Sequence, residues 1–348
     1  MIHNVIEYYS KGKYFCASMK EKGLRMSSNK LLKLLERKFY KTGQTRGADD
    51  DEIYQNRVNR NNTVLIPFNT YNELKTYPYG NPNYENGFIV LISPEEYFTQ
   101  KDNMDESLIL GKNMLIFYET REQWNAYNPL NYGFSFATSR NNPLGGEFVA
   151  RVPATTSIQD SSKISLGFTD KTLKGAGIRV YEYASTDIIK QCKLQLEAIF
   201  WMCKNAEDTL LDFGMTIDEI TTRKQKIFAE CQKYNLLNFG KLIKQRIINS
   251  ERHTICPLCL EELDAHGFFD KVPQAHGREV VDLTVTQLNL FHIRELRVGE
   301  FNHVPYNLGW GHHHCNIVVK DSGIYETLDW MRKVIKRNDI YNKLSSSC

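Results

Sequence analysis

Residues 306–320 read YNLGWGHHHCNIVVK, and eight of the nine histidines fall in the last hundred residues of a 348-residue chain. Neutral imidazole is the commonest side-chain ligand for transition metals, and thiolates favour borderline ions, so mixed His and Cys density points to zinc. Upstream, Cys256-Pro-Leu-Cys259 is a C-x-x-C turn that brings two sulfurs to one side. His312-x-x-Cys315 supplies the second pair. Cys256, Cys259, His312 and Cys315 are therefore expected to form a closed four-ligand zinc site of structural type, with no open position for chemistry. The other reading makes CPLC a buried turn and the histidines loop residues; the downstream pair argues against it.

Between the two half-sites, a β-like run from Asp282 to Ile293 ends in His292-Ile293, a loop-rich stretch leads to Asn307-Leu308, and H-x-x-C-N closes at Asn316. In this order and spacing, residues 253–320 resemble the HNH (ββα-metal) nuclease superfamily, in its zinc-bearing, restriction-endonuclease form. His312 stands where many members have cysteine. The resemblance implies His292 as general base, Asn307 as the brace of the ββα loop, and Asn316 as a ligand of the catalytic metal. A hard cation, Mg²⁺ or Mn²⁺, suits an amide oxygen, and an imidazole near its natural pKa can take a proton from water. Zinc would only staple the domain. One position departs from the family: the acidic residue usual before the base histidine is Phe291 here. His303 is the expected replacement, while His313 and His314 are candidates for a phosphate contact and an inward-packing residue.

The resemblance implies a sequence-specific DNA endonuclease of type II restriction kind, acting on double-stranded DNA. A non-catalytic zinc-dependent DNA-binding protein is the alternative. Two weaker matches are Glu73-x-Lys75 with Asp51, and Gly323-Ile324-Tyr325; three-residue matches are common by chance.

The elements that must position these groups change along the chain. Residues 1–60 look helical and basic, with thirteen Lys and Arg against seven Asp and Glu. Residues 61–185 hold β-like runs (TVLIPF, NGFIVLIS, NMLIFYE, GEFVARVP, KISLGF, GIRVYEYA) between Gly/Pro/Asn clusters that suggest an antiparallel or mixed sheet. Residues 186–250 read as a helical connector, and 251–348 as the HNH domain with its zinc knuckle. The class is α+β, with a β-rich recognition region ahead of the nuclease. Base-edge or phosphate contacts are expected from Arg121, Asn125, Arg140, Asn141, Arg294, Arg297, Lys320 and Lys333, residue types that suit those partners. A palindromic target would imply a homodimer, with the contact placed on the connector near Leu194, Ile199, Trp201 and Met202. A net charge of +3 is too small by itself to specify a partner. No run approaches the roughly 18–20 apolar residues of a membrane span. Scattered cysteines and a polar N-terminus predict a cytoplasmic, reduced protein with no membrane partner.

Overall fold

The computed structural model describes residues 31–39, 59–75, 83–137, 144–150, 177–273, 286–320 and 322–345. In chain order they form α1 (Lys33–Phe39), β1 (Val64–Pro67), α2 (Phe68–Lys75), β2 (Phe88–Ile92), α3 (Pro94–Gln100), β3 (Met114–Tyr118), α4 (Arg121–Ala126), β4 (Phe148–Ala150) and β5 (Ile178–Arg179). Helices α5 (Thr186–Phe200), α6 (Ala206–Asp212), α7 (Ile217–Lys233) and α8 (Phe239–Lys244) follow. The chain then forms β6 (Leu288–His292), β7 (Leu308–His312), α9 (His313–Val319) and α10 (Ile324–Ser345). They divide into two units, one of 41–189 and 296–304, the other of 1–40, 190–295 and 305–348.

The first unit is built on a five-stranded sheet in the order β4-β3-β2-β1-β5, with every pairing parallel. This corrects the antiparallel or mixed sheet expected from the turn-like clusters. Parallel neighbours need crossover connections, and α2, α3 and α4 lie in those that follow β1, β2 and β3. Ser93 and Thr120 start α3 and α4 with reciprocal capping boxes, and Pro94 opens α3. The strands are apolar on both faces. Val64, Ile66, Val90, Ile92, Met114 and Ile116 pack with Tyr71 and Trp124, while Leu65, Ile89, Leu91, Leu115 and Phe117 face Ala137 and Val149. Burial of both faces is what a parallel sheet imposes. Glu73 and Lys75 fall on α2, so their E-x-K match is helical. KISLGF, Arg140, Asn141 and Asp51 lie outside the described residues.

The second unit gathers residues 190–250 of the stretch 186–250, read above as a helical connector, around the same aromatic core as the β6–β7 hairpin. Trp310 is fully buried, its ring 5.4 Å from Phe39 and 4.9 Å from Phe268, and its indole N–H donates to Leu196 O at 2.9 Å. Phe200 joins Phe39 at 5.3 Å. Ile199 is 0% and Trp201 5% exposed within the chain. Their burial corrects the placement of a dimer contact on them. Arg223 grips the buried Glu197 carboxylate with Nε at 2.6 Å and Nη2 at 2.7 Å. Burial still pushes that carboxyl above the usual range, against the pull of Arg223. Among the described residues, no helix is long and apolar enough to cross a membrane.

Candidate metal-bearing ββα site

Strands β6 and β7 pair antiparallel, with Leu288 opposite His312 and His292 opposite Leu308. Helix α9 starts directly where β7 ends at His312, so His312, Cys315 and the strand end at His292 belong to one short ββα segment. The ligand atoms of Cys256, Cys259, His312 and Cys315 all lie within 4.8 Å of one another. Cys259 Sγ is 3.4 Å from His312 Nδ1. The knuckle closes locally: Cys256 N–H donates to Glu261 O and Leu260 N–H to Cys256 O, both at 2.9 Å, with Leu260 at φ +65°. Burial, then the neighbouring sulfurs of Cys256 and Cys259, hold the Cys315 thiol well above its ordinary range. Three converging thiols of this kind are poor neighbours for one another without a cation, and the donor set fits tetrahedral zinc. Arg246 adds a brace that sequence alone did not reveal. Its Nε donates to Pro257 O at 2.7 Å and Nη2 to Leu258 O at 3.3 Å, fixing both residues between the cysteines.

The loop end of the hairpin is tied by Asn307. Its Oδ1 accepts from Arg294 N–H at 2.9 Å, its Nδ2 donates to Arg294 O at 3.0 Å, and its own carbonyl accepts from Ile293 N–H at 3.0 Å. The neck of the loop is thus fixed beside His292. Asn316 Nδ2 donates to Leu290 O at 3.2 Å, which leaves Oδ1 as the atom for a hard cation. Phe291 is fully buried, and alternation along β6 turns it to the face opposite His292. A Cβ on Gly311 would lie 2.5 Å from its ring, so the glycine admits the phenyl group. Phe291 thus has a packing role at this position. His303 is 5% exposed, in the 296–304 segment that belongs to the parallel-sheet unit, where Val298 and Phe301 pack on the core.

His313 N–H donates to Gln287 O at 2.7 Å, and its Nδ1 is 3.0 Å from Asn289 Nδ2. His314 Nε2 lies 3.3 Å from Cys315 Sγ, with its ring stacked on His312 at 5.6 Å. The expected DNA contacts divide between the units. Arg121 and Asn125 begin and nearly end α4, and Arg121 Nε and Nη2 are buried without a hydrogen-bond partner. Arg297 belongs to the parallel-sheet unit, and exposed Arg294 and Lys320 to the other. Lys333 pairs within α10 with Asp329 at 2.6 Å.

Outside the ββα segment, His266 Nδ1 lies 2.8 Å from Asp264 Oδ1 and its Nε2 3.6 Å from Asp212 Oδ2. Burial alone would lower this imidazole's pKa, but the bond to Asp264, with the charges of Asp264 and Asp270 and the bond to Asp212, raises it. A raised folded value means the staple contributes fully below the unfolded histidine pKa, about 6.5, and is lost as pH rises through the folded value. Denaturation midpoints should therefore fall across that window, and Asp264→Asn should flatten the dependence. An imidazole NMR titration giving the same pKa for His266 in both proteins would refute this.

A family model, the BstXI restriction endonuclease, matches residues 37–313. A solved chain described as "Crystal structure of a type II restriction endonuclease" is similar at 16% identity and a TM-score of 0.29, over 45% of this chain and 57% of that one. The match thus spans a little over half of that chain's length. No curated protein matches.

Proposed function

The chain belongs to the BstXI restriction endonuclease family, and from that premise we propose that it is a sequence-specific type II DNA endonuclease that cuts with an HNH-type site. The observation that carries the proposal is the tie of Asn307 to Arg294, two residues past His292, in a hairpin that runs into a Cys₃His cluster. In this reading His292 accepts the proton of the attacking water, and Asn307 holds the strand end that carries it. Asn316 offers Oδ1 to Mg²⁺ or Mn²⁺, which when bound would stabilise charge on the phosphate and leaving oxygen. The Cys256, Cys259, His312 and Cys315 set holds zinc with no open position, so its work is to keep β7 and α9 in register with the knuckle. Arg121, Asn125, Arg294, Arg297, Lys320 and Lys333 are proposed as DNA contacts, and a second copy of the chain would serve a two-fold symmetric target.

The test is incubation of EDTA-treated protein with methylated and unmethylated phage DNA, with and without Mg²⁺, followed by sequencing of the ends. Mg²⁺-dependent ends that share one flanking sequence are expected. Binding without any cutting would favour the non-catalytic zinc protein, and random ends would refute sequence specificity.

A further inference from the structure

Tyr306, the residue before Asn307, holds φ at +66°. A bulky side chain rarely takes this left-handed backbone, and it persists only where the surroundings over-determine it. Here they do. Tyr306 N–H donates to Gln195 Oε1 at 2.6 Å, and Gln195 Nε2 donates to Leu236 O at 2.8 Å. The Tyr306 hydroxyl donates to Asn235 O at 2.7 Å and accepts from Asn238 N–H at 3.2 Å, while Lys241 Nζ lies 4.1 Å over the ring. Gln195 is 1% exposed. Backbone and hydroxyl of one residue are thus anchored separately to α5 and to the turn between α7 and α8, and neither anchor belongs to the hairpin.

A buried glutamine that spends both amide ends on two backbone segments is a demanding way to fill space, since loss of either partner leaves a polar group unpaired. What it fixes is the backbone entering Asn307, whose side chain and carbonyl hold Arg294 and Ile293. The chain of contacts runs Gln195, Tyr306, Asn307, Arg294 and ends beside His292. We infer that Gln195 and Tyr306 are positioning residues for hydrolysis, a clamp that sets the Asn307 turn and through it the placement of the His292 imidazole. This rests on the HNH reading given above.

Gln195→Met keeps the volume and removes both hydrogen bonds; Tyr306→Phe keeps the ring and removes the hydroxyl. Single-turnover cleavage at saturating DNA and Mg²⁺ should fall by roughly 10- to 100-fold in the full-length, zinc-loaded variants, because misplacement of a reacting group by about 1 Å costs that much. The DNA dissociation constant should stay within about threefold, since phosphate contacts and not the base set affinity. Wild-type rates in both variants would overturn the clamp, as would a loss that vanishes on correction for the folded fraction. If Gln195→Met does not fold, Tyr306→Phe decides by the same criteria. His292→Ala run in parallel separates the two readings: full activity there removes the HNH site itself, whereas an inactive His292→Ala beside fully active clamp variants removes only the clamp.

Discussion

His292→Ala should bind the target and leave it uncut. The imidazole sits on the last residue of β6, opposite Leu308, and Asn307 closes the loop beyond it. Alanine at a strand end therefore leaves the hairpin in place. Removing a positioned general base typically costs about 10²- to 10⁴-fold in rate. Binding should change little, since the residues proposed for phosphate and base-edge contacts are others. Circular dichroism and zinc content equal to wild type would show that the loss is chemical.

Cys256→Ser should cost the zinc and, with it, the unit that contains the ββα segment. Cys256 is fully buried in the knuckle, and two of its three partners, His312 and Cys315, lie more than fifty residues away in the chain. Binding free energies of structural zinc run to about 10–16 kcal/mol in zinc-finger peptides, against a total stability of roughly 5–15 kcal/mol for a typical domain. The unit has its own aromatic core around Trp310, so the expected result is a large loss of thermal stability together with protease cleavage within residues 190–348. Elemental analysis should give about one zinc per chain in wild type and none in the variant. A zinc-free Cys256→Ser protein of unchanged stability would mean that the four residues are packing and not ligands.

The ligand cluster was legible because its signal is local and made of scarce residue types: C-x-x-C and H-x-x-C each need only one turn of chain. The β-runs of the first unit were legible too, but not their direction. Helices α2, α3 and α4 span eight, seven and six residues, too few for a helical period to emerge from Pro- and Asn-rich surroundings, so the crossovers looked like hairpin turns. The better clue was the absence of alternation in VLIP, FIVLI and MLIFY, which marks strands covered on both faces. Long-range assembly left no local trace. Nothing near Phe39 announces that it packs on Trp310, and nothing near Gln195 announces Tyr306. Phe291 was visible as a departure, but its reason, the space above Gly311, lies on the partner strand.

In the proposed HNH reading, hydrolysis occurs at His292 in the ββα segment. Its most direct measurement is the single-turnover rate of DNA cleavage by wild type and His292→Ala, each saturated with the same target in Mg²⁺ and matched for zinc content. Equal occupancy of the DNA is expected, with cleavage of both strands reduced by at least about 10²-fold in the variant. Near-normal cleavage by zinc-loaded, DNA-bound His292→Ala would contradict it and move the chemistry elsewhere in the chain.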